Sequence, residues 1–258
     1  MSQSPRPTIV LVPGAWYPVA TYDKVAALLQ AQDYKTVQVS LPSSASGDRN
    51  ASFPDDIHAV RSAIFDETSQ GHDVVVVAHS YGGLPAHSVL DGFPTAEKDG
   101  HVIGYAMLAS GFTQTGMSFL DGLGGTPPPT WRVDEETGFV VILAEPRELF
   151  FHDLPEEEGK YWVSQLGKQS VKSLVEGGDH AYAGWKDVPV WYLASTEDKA
   201  LPVQAQRMFV QMAKDAGGDV TLREVESSHS MMLSKPKETA DFIMEAAAAF
   251  VAYKAGSA

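Results

Sequence analysis

One stretch constrains the fold more than any other: Val74-Val75-Val76-Val77-Ala78 runs straight into His79-Ser80-Tyr81-Gly82-Gly83. An amphipathic helix repeats its apolar residues every three or four positions, and a half-exposed strand every second position. Neither pattern is present. A short, continuous β-branched run fits a strand covered on both faces, as in parallel sheets. The residues after it are small. They lead into Leu84-Pro85, where proline is tolerated because it falls in the first turn of a helix. The spacing predicts a strand, a sharp turn, and a helix that begins at Ser80 or Tyr81 and ends near Leu90.

The same logic orders the rest of the chain. Thr8–Val12 reads as a buried strand closed by Pro13-Gly14, and Thr36–Val39 as a second strand stopped by Leu41-Pro42. Helices are expected over Asp23–Gln32 and Asp55–Thr68, with the polar segment Ser43–Ser52 as a loop between strand and helix. Val102–Ala109, Val188–Ala194 and Val220–Val225 supply further strands, Val203–Ala216 a helix, and Lys237–Tyr253 a closing helix. Strands alternating with helices imply a mostly parallel sheet with helices on both faces. One interval breaks the rhythm. Gly111–Trp185 has no strand repeat but carries Trp131, Phe150, Phe151, Tyr161, Trp162 and other aromatics. Aromatic richness argues against disorder. The expected organisation is a core of residues 1–111 and 186–258, with 112–185 inserted as a cap.

Composition excludes several function classes. Cysteine is absent, so disulfides, thiolate metal sites and a cysteine nucleophile are ruled out. The net charge of −14 disfavours nucleic acid and anionic membrane as partners. The polar start Met1-Ser2-Gln3-Ser4-Pro5 lacks the apolar run of a signal peptide, and no apolar stretch nears the ~18 residues that span a bilayer. The expectation is a cytoplasmic protein. No Gly-x-Gly-x-x-Gly follows the first strand, and neither a cofactor nor a metal is expected.

The strand–turn–helix around Ser80 is the setting of a nucleophile elbow, in which a serine sits on a turn too tight for large neighbours. Ala78 and Gly82 meet that demand. A mere helix-capping serine needs a cap residue but not small residues on both sides. His79 is read as structural, because neighbouring side chains diverge in such a turn. A serine nucleophile needs a base, and eight histidines are candidates. In chain order the acid and then the histidine follow the serine. His229 follows the last strand and is the expected base. His180 lies before the penultimate strand, and His152 lies in the cap. His58, His72, His87 and His101 sit on helices or connecting loops. Asp198 is the expected acid. It leaves the penultimate strand in Thr196-Glu197-Asp198-Lys199 and is preferred to Glu197 because the turn closes at Leu201-Pro202. The backbone amides of Tyr81 and of Ala15, in the loop Pro13-Gly14-Ala15-Trp16-Tyr17, are the expected oxyanion donors. Trp16, Tyr17, Phe112, Trp131 and Trp162 are expected to bind substrate.

At these residues the chain resembles the α/β-hydrolase superfamily, and within it the plant methyl esterase and hydroxynitrile lyase branch. The resemblance is carried by Gly14-Ala15-Trp16, His79-Ser80-Tyr81-Gly82-Gly83, Thr196-Glu197-Asp198-Lys199 and His229 with Met232-Leu233-Ser234-Lys235-Pro236. It implies an α/β-hydrolase fold with an inserted cap. There are two departures. Pro13 stands where such proteins usually carry histidine, and Ser230 stands where the lyases tend to carry lysine. The second tilts the expectation toward hydrolysis of a small hydrophobic or aromatic ester or lactone through an acyl-enzyme on Ser80. A carbon–carbon lyase on the same trio and a non-catalytic small-ligand receptor are the alternatives.

Overall fold

A computed structural model of the chain describes residues 6–93 and 100–257. The start of the polar N-terminal segment, residues 1–5, and Ala258 of the tail lie outside the described residues. The strands are β1 (Thr8–Val12), β2 (Thr36–Gln38), β3 (Val74–His79), β4 (Val102–Leu108), β5 (Trp131–Asp134), β6 (Phe139–Ile142), β7 (Val190–Ser195) and β8 (Val220–Val225). Six of them form one sheet in the order β2-β1-β3-β4-β7-β8, every pair parallel. The valine run lies near the middle, paired with β1 on one side and β4 on the other.

Strand geometry explains why that run does not alternate. Successive side chains point to opposite faces, and here both faces are covered. Val10, Val12, Val74, Val76 and Ala78 join one apolar cluster with Val60 and Ile64 of helix Phe53–Thr68. Ile9, Leu11, Val75 and Val77 join the opposite cluster with Val25 and Leu29 of helix Asp23–Gln30 and Phe242, Ile243 and Phe250 of helix Pro236–Ser257. Each such side chain, fully buried, contributes about 1.5–3 kcal/mol of transfer free energy. The paired layers fix the C-terminal ends of β1, β3, β7 and β8 along one edge, where the loops that concern function emerge.

Two segments depart from the sequence reading. Ser43–Ser52 is not wholly loop: Pro42–Ala45 forms a helical turn, and Ser43 and Ser44 are buried. The interval between β4 and β7 also holds strands, because β5 and β6 pair as an antiparallel hairpin with Trp131 opposite Ile142. Short helices Phe119–Gly122, Pro146–Phe150 and Lys172–Val175 and the longer Glu156–Gln165 complete it.

Candidate active site

β3 ends at His79, and Ser80–Gly82 form a 3₁₀ turn that passes into helix Gly83–Ser88. Ser80 has φ of 51°, a left-handed conformation that costs a non-glycine residue roughly 1–3 kcal/mol. The turn is held from two sides. The Ser110 hydroxyl donates to the Ser80 carbonyl at 2.5 Å. Gly82 lies so close to β1 that a Cβ there would sit 2.2 Å from the Pro13 carbonyl oxygen.

Three side chains from three loops meet at this turn. His229 Nδ1 lies 2.7 Å from Asp198 Oδ2, and His229 Nε2 lies 3.0 Å from Ser80 Oγ. A carboxylate only accepts, so Nδ1 donates to Asp198, and in the neutral imidazole Nε2 is left to accept from the Ser80 hydroxyl. Asp198 is itself fixed. Its Oδ1 accepts the amides of Ala200 and Leu201, each at 2.8 Å, and its Oδ2 accepts Gln206 Nε2 at 3.1 Å. Glu197, the competing acid, contributes instead a carbonyl that accepts from His152 Nε2 at 2.9 Å.

The histidine loop is braced from below. His79 Nε2 donates to the His229 carbonyl at 2.9 Å, so His79 holds the loop rather than facing the cavity. Burial, followed by the proximity of His229, pushes the His79 imidazole well below its usual range. The Ser228 amide donates to Asp153 Oδ2 at 2.8 Å, which ties the loop to the interval between β4 and β7. Of the remaining histidines, His87 is buried with Nδ1 3.1 Å from Thr113 Oγ1, and burial pushes it down to about 3. His180 lies in an exposed 3₁₀ turn.

A cavity of about 680 Å³ opens over Ser80 and His229. Ala15, Trp16, Tyr81, Phe112 and Trp131 line it, together with Phe119, Phe150, Trp185 and Phe209. Tyr17 and Trp162 are not among the lining residues. Tyr17 is turned into the core, packed edge-on against His79 and Phe150, with its hydroxyl 2.6 Å from Ser230 Oγ. Burial, opposed by the Ser230 bond, raises its phenol well above the usual range. Trp162 is buried in the apolar cluster of Leu149, Phe151 and Leu154. The expectation that these two rings contact substrate is therefore corrected. Phe150, whose ring lies 5.8 Å from that of His229, lines the cavity although it is not among the expected substrate-binding residues.

Among the described residues no group of three or more His, Asp or Glu side chains is arranged to hold a metal ion. No helix among them is long and apolar enough to cross a membrane.

The strained elbow, the hydrogen-bonded serine, histidine and aspartate, and the parallel sheet beneath them coincide with a known family pattern: residues 9–242 match the alpha/beta hydrolase family. The chain belongs to that family. It is 28% identical over 247 residues to the alpha/beta hydrolase nvfD of Aspergillus novofumigatus, covering 94% of this chain and 97% of that protein. It is 25% identical over 264 residues to methylesterase 1 of Arabidopsis thaliana, covering 94% and 96%. A crystal structure of a pyrethroid hydrolase from Sphingobium faniae superposes with a TM-score of 0.71 at 20% identity, over 94% of this chain and 98% of that one. At that identity the likeness concerns the fold alone.

Two polar residues of this α/β hydrolase had no signal in its sequence. Gln206 sits eight positions beyond Asp198 in helix Val203–Asp215 and is completely buried. Gln169, in the interval between β4 and β7, is equally buried and reaches toward the loop after β1. A buried glutamine is unusual enough to find once burial is known, but nothing in the one-dimensional pattern marks either as buried.

Proposed function

We propose that this enzyme is a serine hydrolase that cleaves a carboxylic ester or lactone of a small hydrophobic or aromatic molecule. One observation carries the reading. The Ser80 hydroxyl on its strained turn lies 3.0 Å from a histidine that is itself 2.7 Å from a buried aspartate, at the floor of an apolar cavity. A serine hydroxyl is a weak nucleophile until a base takes its proton. Neutral His229 takes it at Nε2 as Ser80 Oγ attacks the carbonyl carbon. Asp198 fixes the tautomer and stabilises the imidazolium that forms. His229 then protonates the leaving alkoxide, giving an acyl-enzyme. It next removes a proton from water, which attacks the acyl carbonyl; as the acyl–Oγ bond breaks, His229 returns that proton to Ser80 Oγ and the acid is released.

The tetrahedral oxyanion needs preorganised donors. Tyr81 follows the nucleophile in the first turn of the helix, where amides have no intrahelical acceptor. Ala15 lines the same cavity as Tyr81 and Ser80, and Gly14 before it packs so close to Ser80 that an added Cβ would sit 3.0 Å from the Ser80 Cβ. We assign the Ala15 and Tyr81 amides this role. Residues 112–185 act as the cap: their aromatics roof the cavity and favour an apolar substrate. The similarity to methylesterase 1 supports ester cleavage, and Ser230 rather than lysine beside the base favours hydrolysis over carbon–carbon bond cleavage. The test is a panel of p-nitrophenyl esters of increasing acyl length. The reading predicts a burst of nitrophenol with a chain-length optimum set by the cavity. No turnover of any ester, with cyanide release from mandelonitrile, would replace it with the lyase reading.

A further inference from the structure

Gln169 touches neither the cavity floor nor the triad, yet it joins the two segments that flank Ser80. Its Oε1 accepts the Trp16 amide at 3.4 Å and the Ser44 hydroxyl at 2.5 Å. Its Nε2 donates to Ser43 Oγ at 2.9 Å and Ser173 Oγ at 2.6 Å. Ser43 passes the connection on, because its amide and hydroxyl donate to Asp56 Oδ1 and Oδ2 at 3.0 and 2.5 Å. Asp56 Oδ2 also accepts the Tyr81 hydroxyl at 2.6 Å. Gln169, Ser43, Asp56 and Tyr81 are all essentially inaccessible to solvent. One chain of buried hydrogen bonds therefore runs from the residue after Ala15 to the residue after Ser80.

The Trp16 end carries strain. Trp16 has φ of 64°, a left-handed conformation that a bulky residue adopts only when its surroundings enforce it. The enforcement comes from the cap on both sides of the residue. The Gly167 amide donates to the Trp16 carbonyl at 2.7 Å, and Gln169 receives the Trp16 amide. The indole Nε1 adds a third tie, to the Val140 carbonyl at 3.4 Å. Reversing the Trp16 backbone would swing the Ala15–Trp16 peptide and re-aim the loop that carries Ala15. At the other end, Tyr81 is pinned by its hydroxyl, so the peptide between Ser80 and Tyr81 is tethered at the side chain that follows it.

We propose that Gln169 is a positioning residue that holds both oxyanion-donating segments, the Ala15–Trp16 loop and Tyr81, in register through Ser43 and Asp56. The proposal rests on the serine-hydrolase reading above. It makes the cap more than a roof, because a cap residue fixes the donors on the core. Oxyanion donors act on the transition state more than on bound substrate. Loosening them should therefore lower kcat and leave KM nearly unchanged.

The test uses Gln169→Met, which keeps length and burial but removes all four polar contacts, and Tyr81→Phe, which removes only the hydroxyl at the far end. Both are assayed for kcat and KM on a p-nitrophenyl ester. Both are also assayed for inhibition by an aryl trifluoromethyl ketone, which forms a tetrahedral oxyanion on serine, and by the matching non-electrophilic alcohol. Removing one oxyanion donor outright costs on the order of 10²–10³-fold in kcat, so displacing donors is expected to cost roughly tenfold in each variant. The trifluoromethyl ketone Ki should rise in proportion, with KM and the alcohol Ki within twofold of the parent. If Gln169→Met fails to fold, Tyr81→Phe decides by the same readout. Folded variants with parental kcat and ketone affinity overturn the proposal, as does a loss of kcat without a matching loss of ketone affinity. A parent enzyme that neither turns over the ester nor binds the ketone overturns the serine-hydrolase reading itself.

Discussion

Gly82→Ala isolates the contact that sets the distance between the turn at Ser80 and the loop after β1. Gly82 has φ of −57° and ψ of −18°, so alanine meets no backbone penalty there, and the helical turn gains slightly in propensity. The whole effect comes from one methyl group. Its Cβ would lie 2.2 Å from the Pro13 carbonyl oxygen and 3.1 Å from Val12 Cγ1. Carbon and carbonyl oxygen pack at about 3.3 Å or more, so Pro13 and the turn must separate by roughly 1 Å. Pro13 is backbone at the end of β1 and is held in the sheet through Val12, which pairs with Ala78. It cannot swing aside as a flexible side chain would. Overpacking of this kind costs typically 1–3 kcal/mol. Pro13 lies two residues before Ala15, and a misplacement of about 1 Å costs on the order of 10²-fold in rate. Urea denaturation and steady-state ester hydrolysis read the two effects. Gly256→Ala, whose added Cβ meets nothing within 4 Å, serves as the control and should change neither. A Gly82→Ala enzyme with parental midpoint and kcat would refute the argument that this close approach positions the site.

Three further outcomes follow from the geometry. Asp198→Asn keeps the shape of the acid but lets the side chain donate, which favours the wrong tautomer of His229; kcat should fall by on the order of 10³–10⁴-fold, with thermal unfolding checking that the fold persists. Gln206→Leu removes a buried donor to Asp198 Oδ2 and strands the Ser195 amide that its Oε1 accepts at 3.1 Å, so unfolding free energy should drop by about 1–3 kcal/mol. His87 is buried with its folded value lowered to about 3, so between about pH 6.5 and 3 only the unfolded chain binds that proton; stability is lost as pH falls through this window, at about 1.4 kcal/mol per unit. Replacing it in His87→Gln should flatten the urea-derived stability profile between pH 4 and 6 by that slope, and an unchanged slope would contradict the burial argument.

The parts of the fold legible in the sequence are those where one physical cause acts on consecutive residues. β3 was readable because both faces of its valines are buried, and the elbow because a steric limit selects Ala78 and Gly82 at fixed offsets from Ser80. Chain order then pointed to Asp198 and His229. The β5–β6 hairpin is harder to read. Trp131-Arg132-Val133-Asp134 and Phe139-Val140-Val141-Ile142 are each only four residues long, and their stability comes from pairing with each other and from packing on the core. Ser43 and Ser44 read as solvated loop because composition cannot tell a hydrated serine from one bonded to a buried Asp56 or Gln169. Its place beside Ala15 and Trp16 in the sequence puts Tyr17 in the pocket. The left-handed turn at Trp16 sends Tyr17 to the opposite side, against His79 and Phe151. In each case the missing information was a tertiary partner or a backbone angle that no residue type announces.

The central claim is that Ser80 becomes covalently acylated. Incubation with a fluorophosphonate, followed by intact-mass measurement and peptide mapping, tests it in one step. The account predicts a single adduct on Ser80 in the parent, lost in Ser80→Ala together with ester turnover. An adduct on another residue, or full ester turnover by Ser80→Ala, would contradict it.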